Sequence, residues 1–229
     1  MHKIYLYKIK IPKGIGNLHL ALENFEDKKF SFDITTFNSH LLEVKTYEKI
    51  QNKITFFSPD GEKKVIEYES YQNIYFAIFK SQEESYLALS NPPRSVRNFF
   101  NLLSQIVGVG YTIEAVIVNL NAASQYFFNK YQCDIKYISV EKLSINHRSY
   151  ANLEIFSTEN AISDSEDLIA NQKILINKVS LNIKNLIKTI DLTVNRKGFL
   201  QTKCFDKSLS LNGNEIFNYI HEILLHRES

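Results

Sequence analysis

The chain has no tryptophan, a single methionine, two cysteines, four prolines and seven glycines in 229 residues. With 44% hydrophobic and 23% charged residues it sits near the globular average, which excludes long disordered tails. Cys133 and Cys204 lie far apart in apolar, strand-like surroundings without the paired spacing of a zinc or redox site, so they read as buried free thiols. No run of about 18 apolar residues occurs, which excludes a spanning helix and leaves no membrane partner expected. Residues 1–10 alternate like a strand and carry no basic leader with an apolar core, so the expected location is the cytoplasm. Neither charge dominates: 27 basic residues face 25 acidic ones, a net of +2, so nucleic-acid contact would have to come from a local patch. A Gly-rich phosphate loop, a nucleophile elbow and a Cys–His signature are also missing, which leaves nucleotide hydrolysis and acyl transfer without support. No cofactor and no metal are expected.

What is present is a dense succession of strand and helix patterns. Ile4 to Ile11 alternates as a strand that Pro12 ends, and Leu18, Leu22 and Phe25 suggest a short helix after it. Phe32 to Phe37, Leu41 to Tyr47, Ile54 to Phe57 and Val65 to Tyr68 read as strands, the last two joined by the turn Ser58-Pro59-Asp60-Gly61. Two apolar-aromatic runs follow, Ile74 to Phe79 and Tyr86 to Leu89, and then a helical pattern through Val96, Phe99, Phe100, Leu103 and Val107. Tyr111 to Leu120 looks like a central strand covered on both faces, Ala122 to Tyr131 like a helix, and Asp134 to Leu143 like a strand. That order predicts crossover connections and partly parallel pairing. The expected class is therefore α+β: a mixed, partly antiparallel sheet with a strand-strand-helix-strand-helix-strand centre. Residues 1–70 form a strand-rich part and 71–229 an α/β part, or the two make one compact unit.

In the last third, Ala151 to Phe156 suits a strand and Ser163 to Glu166 a capping box. A helix over about 164–188 should follow, about 35 to 39 Å long at 1.5 Å per residue, with Leu168, Leu175, Val179 and Leu186 in one stripe and Ile169, Ile176, Ile183 and Ile187 in another. Such breadth fits burial across the sheet or a protein partner or homodimer docking along Leu168–Ile187. The chain ends with a hairpin, Ile190 to Val194 and Phe199 to Phe205, and a helix over about 213–226 that Asn212 can cap.

Arg94 and Arg97 are the candidate binding residues. Pro92 suits a helix opening and Asn91 or Ser90 can cap it, so both cations crowd a helix start that already carries partial positive charge. A phosphate between them would relieve that, with Asn98 and Asn101 on the exposed side and Arg196 and Lys197 extending the patch. The alternative is internal: Arg97 pairs with Glu83 or Glu84 and Arg94 lays its stem on an aromatic ring. A metal-dependent nuclease is a third reading, from Asp33 with Glu43-Val44-Lys45, or from Asp134-Ile135-Lys136, but neither set has its full ligand count. His221-Glu222 resembles a zinc-protease helix, yet His226 falls five residues on, off the shared face.

The succession Tyr75-Phe76-Ala77-Ile78-Phe79, Tyr86-Leu87-Ala88-Leu89 and Pro92-Pro93-Arg94-Ser95, with its following helix, resembles RdgC-like proteins over about Asn73–Leu120. That family includes recombination-associated DNA binders and the B component of the Kiwa antiphage system. The resemblance implies a non-enzymatic bacterial protein that binds double-stranded DNA without sequence preference, in mobile-element or phage-defence biology. The second reading is an interaction subunit of a larger complex, and the third is the nuclease.

Overall fold

Strands account for most of the backbone in the computed structural model, which describes residues 1–146, 148–169, 174–184, 189–203 and 215–228. The elements run β1 (His2–Lys10), α1 (Gly14–Glu23), β2 (Phe30–Phe37), β3 (Leu41–Phe57), β4 (Lys63–Ser81), β5 (Glu84–Ser90), α2 (Arg97–Val107) and β6 (Thr112–Ala115). They continue with α3 (Leu120–Tyr131), β7 (Asp134–Asn146), β8 (Ser149–Phe156), α4 (Ala161–Ile169), β9 (Ile176–Lys184), β10 (Thr189–Asn195), β11 (Phe199–Thr202) and α5 (Glu215–Leu224). All the strands join one sheet in the order β2-β3-β4-β5-β1-β11-β10-β9-β7-β8, with β6 also on β1. β1 uses one edge twice: His2 to Tyr5 pair with β11 and Tyr7 to Lys10 pair with β6.

Every strand-to-strand pairing is antiparallel, which corrects the expectation of an α+β fold with a partly parallel centre. The crossover reading failed because β6 is only four residues long and pairs with β1, while β7 lies on the far side of the sheet between β9 and β8. The doubly covered strands are instead β4 and β5, where Phe76 to Phe79 and Tyr86 to Leu89 are all buried. Their continuous apolar runs follow from two cores. Phe76, Ile78, Leu87 and Leu89 join a core with α1 and α2, whereas Ala77, Phe79, Tyr86 and Ala88 join the core that also holds α3 and α5. Removing one such side chain from water is worth about 1.5–3 kcal/mol.

The helix expected over 164–188 is absent as such: residues 161–169 are helical and residues 176–184 are β9. Ile176, Val179, Leu181 and Ile183 are buried while Asn177, Lys178, Ser180 and Asn182 are partly exposed, which is strand alternation interrupted by one register shift. Apolar residues seven apart satisfied the helical template, but β7 and β10 on either side supply the backbone partners, and β-branched side chains fit a half-buried pleat. The dimer surface proposed along Leu168–Ile187 goes with that helix. Asn160, three residues before the expected box, caps α4 by accepting from Ile162 and Ser163. The expected cap at Asn212 lies outside the described residues.

β3 and β4 are much longer than the four short strands expected there. They form one hairpin of 17 paired positions, Leu41–Phe79 to Phe57–Lys63, closed by the predicted turn, in which Gly61 N donates to Ser58 O at 2.8 Å. At the β10–β11 turn Gly198 has a φ of +71°, and a Cβ there would stand 3.1 Å from both Leu6 O and Val116 Cβ. Only glycine lets β11 hand its place beside β1 to β6 at that point.

Candidate nucleic-acid interface

β5 ends where Asn91 turns to a φ of +44° and closes a reciprocal pair with Lys3: Asn91 N donates to Lys3 O at 2.7 Å, and Asn91 Oδ1 accepts from Lys3 N at 2.8 Å. Each residue before a proline is pushed out of helical backbone, so Pro92-Pro93 delays the helix. α2 therefore begins at Arg97 with Val96 as its N-cap, no side-chain cap bond and no acid in the first turn. This corrects the start near Arg94 and the caps at Ser90 and Asn91, because Ser90 is buried inside β5 and Asn91 is spent on β1. Phe99, Leu102 and Leu103 bury the inner face of α2, and Phe99 meets Phe76 at 5.0 Å while Phe100 meets Tyr7 edge-on at 5.2 Å.

Arg94 and Arg97 are both exposed. Among the described residues neither guanidinium has a hydrogen-bond or ion-pair partner. The internal alternative is not realised: Glu84 is held by Lys8 at 2.5 Å, by Arg227 at 3.0 Å and by the Tyr86 hydroxyl at 2.8 Å. Those donors hold the Glu84 carboxyl below the ordinary carboxylate range, Lys8 first. α2 does touch a carboxylate, Glu48 on β3, which accepts from Asn98 at 3.1 Å and pairs with Lys29 at 2.9 Å. Asn98 is thus a tether for the helix start, and Asn101 stays exposed.

Arg196 does not extend this patch. Its guanidinium pairs with Glu228 at 2.7 Å, just beyond α5, and its carbonyl accepts from Val118 N. Lys197 is exposed at the same turn. The nuclease residues stand side by side on β2 and β3 without forming a metal site. Asp33 stands opposite Lys45, whose ammonium lies 4.6 Å from the Tyr47 ring centre and 5.3 Å from that of Tyr75, while Glu43 is buried. Asp134 is bound by Lys136 and Lys184, each at 3.0 Å. Among the described residues no three His, Cys, Asp or Glu side chains are grouped to hold a metal ion. His221 Nδ1 lies 3.0 Å from Ser81 Oγ between Phe79 and Phe217, and burial lowers its pKa.

One surface escaped the sequence reading. On the side of the sheet that carries α1 and α2, no described helix covers the half from β1 to β8, and side chains there line up across six strands. Register places Lys3, Gln201, Thr193, Ser180, Tyr137 and Phe156 in one row. Two aromatic pairs mark it: Tyr5 with Phe199 at 4.8 Å and Tyr137 with Phe156 at 4.9 Å between ring centres. Phe156 is 75% exposed and Tyr5 36%. Lys178 sits 5.3 Å over the Tyr137 ring, and Lys3 stands beside Asn91 at the margin that leads to Arg94. The carboxylates of this face keep their charge: Glu154 accepts from the neutral Tyr137 hydroxyl and Asp191 from the neutral Asn182 amide, while Asp134, in register with Asn182, is paired with Lys136 and Lys184. The alternation of β9 and β10, polar residues against buried ones, was the available signal for an open face, hidden while β9 was read as helix.

No protein-family model and no curated protein matches the chain. Among solved structures, a deletion mutant of the single-stranded DNA binding protein from Thermus aquaticus aligns over 92% of this chain and 98% of its own at 8% identity, with a TM-score of 0.13. A score that low carries no inference about this chain. No helix among the described residues is long and apolar enough to cross a membrane.

Proposed function

We propose that this is a non-enzymatic protein that holds nucleic acid without reading its sequence. The observation that supports it most is the pair of exposed, unpartnered guanidiniums of Arg94 and Arg97 at an uncapped helix start, beside a sheet face that bears exposed aromatic rings. Phosphate oxygens satisfy guanidinium forks and first-turn N–H groups together. Aromatic faces accept any base, so binding through them is tolerant of sequence and favours strands whose bases are unstacked. From Phe199 to Phe156 the path crosses four inter-strand steps, about 19 Å at roughly 4.8 Å each. The aromatic pairs therefore favour a single strand over the duplex that the RdgC-like pattern implies, and a setting in phage defence or mobile-element biology rests on that pattern alone.

The test is a gel shift with single-stranded and duplex oligonucleotides of mixed sequence. Arg94→Glu with Arg97→Glu should abolish the shift and leave the melting temperature nearly unchanged, since neither side chain has a structural partner. Absence of any shift by the wild type at low salt overturns the reading. A duplex-only shift keeps the arginines and removes the stacking face.

A further inference from the structure

On the side of the sheet opposite the aromatic face, the segment after α5 closes a cleft of about 550 Å³ over β1, flanked by β5 and β6. Val118 bridges to Arg227, and Glu228 N donates to Ile117 O at 2.8 Å, which fixes that wall. Register decides what faces inward. Lys8 stands opposite Tyr86 on β5 and opposite Glu114 on β6, so these side chains share the face on which Leu6 and Val116 are buried. Val116, Ile117 and Leu225 give the cleft an apolar flank.

Its charged groups are unevenly used. Glu84 takes both cations, Lys8 at 2.5 Å and Arg227 at 3.0 Å, and Glu228 is matched by Arg196 at 2.7 Å. Arg227 gives Nη1 to Gln82 Oε1 at 2.6 Å and to Leu224 O at 3.0 Å, so among the described residues its Nη2 makes no hydrogen bond. The Lys8 ammonium, with one bond to Glu84, has donors left over as well. Glu114 faces Lys8 across the ladder, yet among the described residues its carboxylate has no hydrogen-bond or ion-pair partner. Two cations on one carboxylate leave a surplus positive charge on the floor, and Glu114 leaves a surplus negative charge one strand away.

We propose that this cleft binds a free α-amino acid with an apolar side chain, its carboxylate on Lys8 and Arg227, its ammonium on Glu114 and its side chain against Val116, Ile117 and Leu225. A lone anion would satisfy the cations but lie against Glu114, and a lone cation would meet the reverse. Only a ligand that carries both charges gains at both ends. Opposed residues of an antiparallel pair have Cβ atoms about 5 Å apart, so the ligand's charges must be close together, as they are on the two substituents of one α-carbon. The volume lies within the range of small-molecule clefts, and a few convergent polar groups beside an apolar wall are what such sites require.

Calorimetric titration of the full chain with L-leucine should show saturable binding. Isoamylamine and 4-methylpentanoate, which each lack one of the two charges, should bind about tenfold more weakly, the loss of one charge-assisted contact. Glu114→Gln should weaken leucine by a similar factor while leaving 4-methylpentanoate no weaker and the melting temperature nearly unchanged, since Glu114 has no partner to lose. A wild type that binds neither leucine nor phenylalanine overturns the proposal, as does a Glu114→Gln variant that binds leucine like the wild type, or 4-methylpentanoate binding as tightly as leucine. Arg94→Glu with Arg97→Glu lies on the other side of the sheet and should not alter the titration, so this result stands apart from the gel shift.

Discussion

A guanidinium in the opening turn of a helix without an ion-pair partner is unfavourable by a few tenths of a kcal/mol, and Arg97 carries that cost while Glu48 is claimed by Lys29 and Asn98. Two other residues make sharper stability statements. Burial lowers the pKa of His221 from its ordinary 6.5, so the folded chain resists protonation that the unfolded chain accepts. That stability is whole above pH 6.5 and is lost as the pH falls through the lower folded value. Thermal melts at pH 7 and pH 5 should show a fall that His221→Gln reduces, with His2 and His226, lowered mainly or wholly by burial, accounting for part of the remainder. At Gly198, alanine meets positive φ together with the Leu6 carbonyl and Val116, so Gly198→Ala should cost about 2–3 kcal/mol in a urea titration.

At the scale of elements, the outer part of the β3–β4 hairpin and the body separate cleanly. Replacing residues 52–68 by an Asn-Gly turn between Gln51 and Glu69 should leave the melting temperature of the body almost unchanged, because the deleted residues bury so little. Much of this layer was legible beforehand. The turn at Ser58 to Gly61, the amphipathic α2 and the strands through Phe76 and Leu87 follow from local patterns, since periodicity and turn chemistry are encoded within a few residues. The 164–188 segment was not legible, because Ile176, Val179 and Ile183 fit two periods at once and only the flanking strands β7 and β10 decide between them. Of the candidate site, Arg94 and Arg97 were readable from sequence, but their lack of partners was not. The alignment of Tyr5, Phe199, Tyr137 and Phe156 was not readable at all, since it depends on register between strands up to 194 positions apart.

For the whole molecule, a net charge of +2 means that the proposed binding would have to come from the few cations at the open face and its margin, Lys3, Lys178, Arg94 and Arg97. Neutralising three or four phosphates on a single strand gives a slope of about −2 to −3 in log K against log salt. A titration across salt concentrations should return that modest value, and a slope near zero would show that phosphates are not the contact.

His2 to Tyr5 of β1 acquire their outer neighbour only when residues 199–202 arrive. Until then the His2–Tyr5 half of that edge stays open, while Tyr7 to Lys10 can already pair with β6, and the closing event joins residues almost 200 positions apart. Such non-local closure makes folding slow and late. Truncation ahead of Phe199 should yield a chain that collapses without completing its sheet, and whatever partner or chaperone first meets this protein meets it with that seam unsewn.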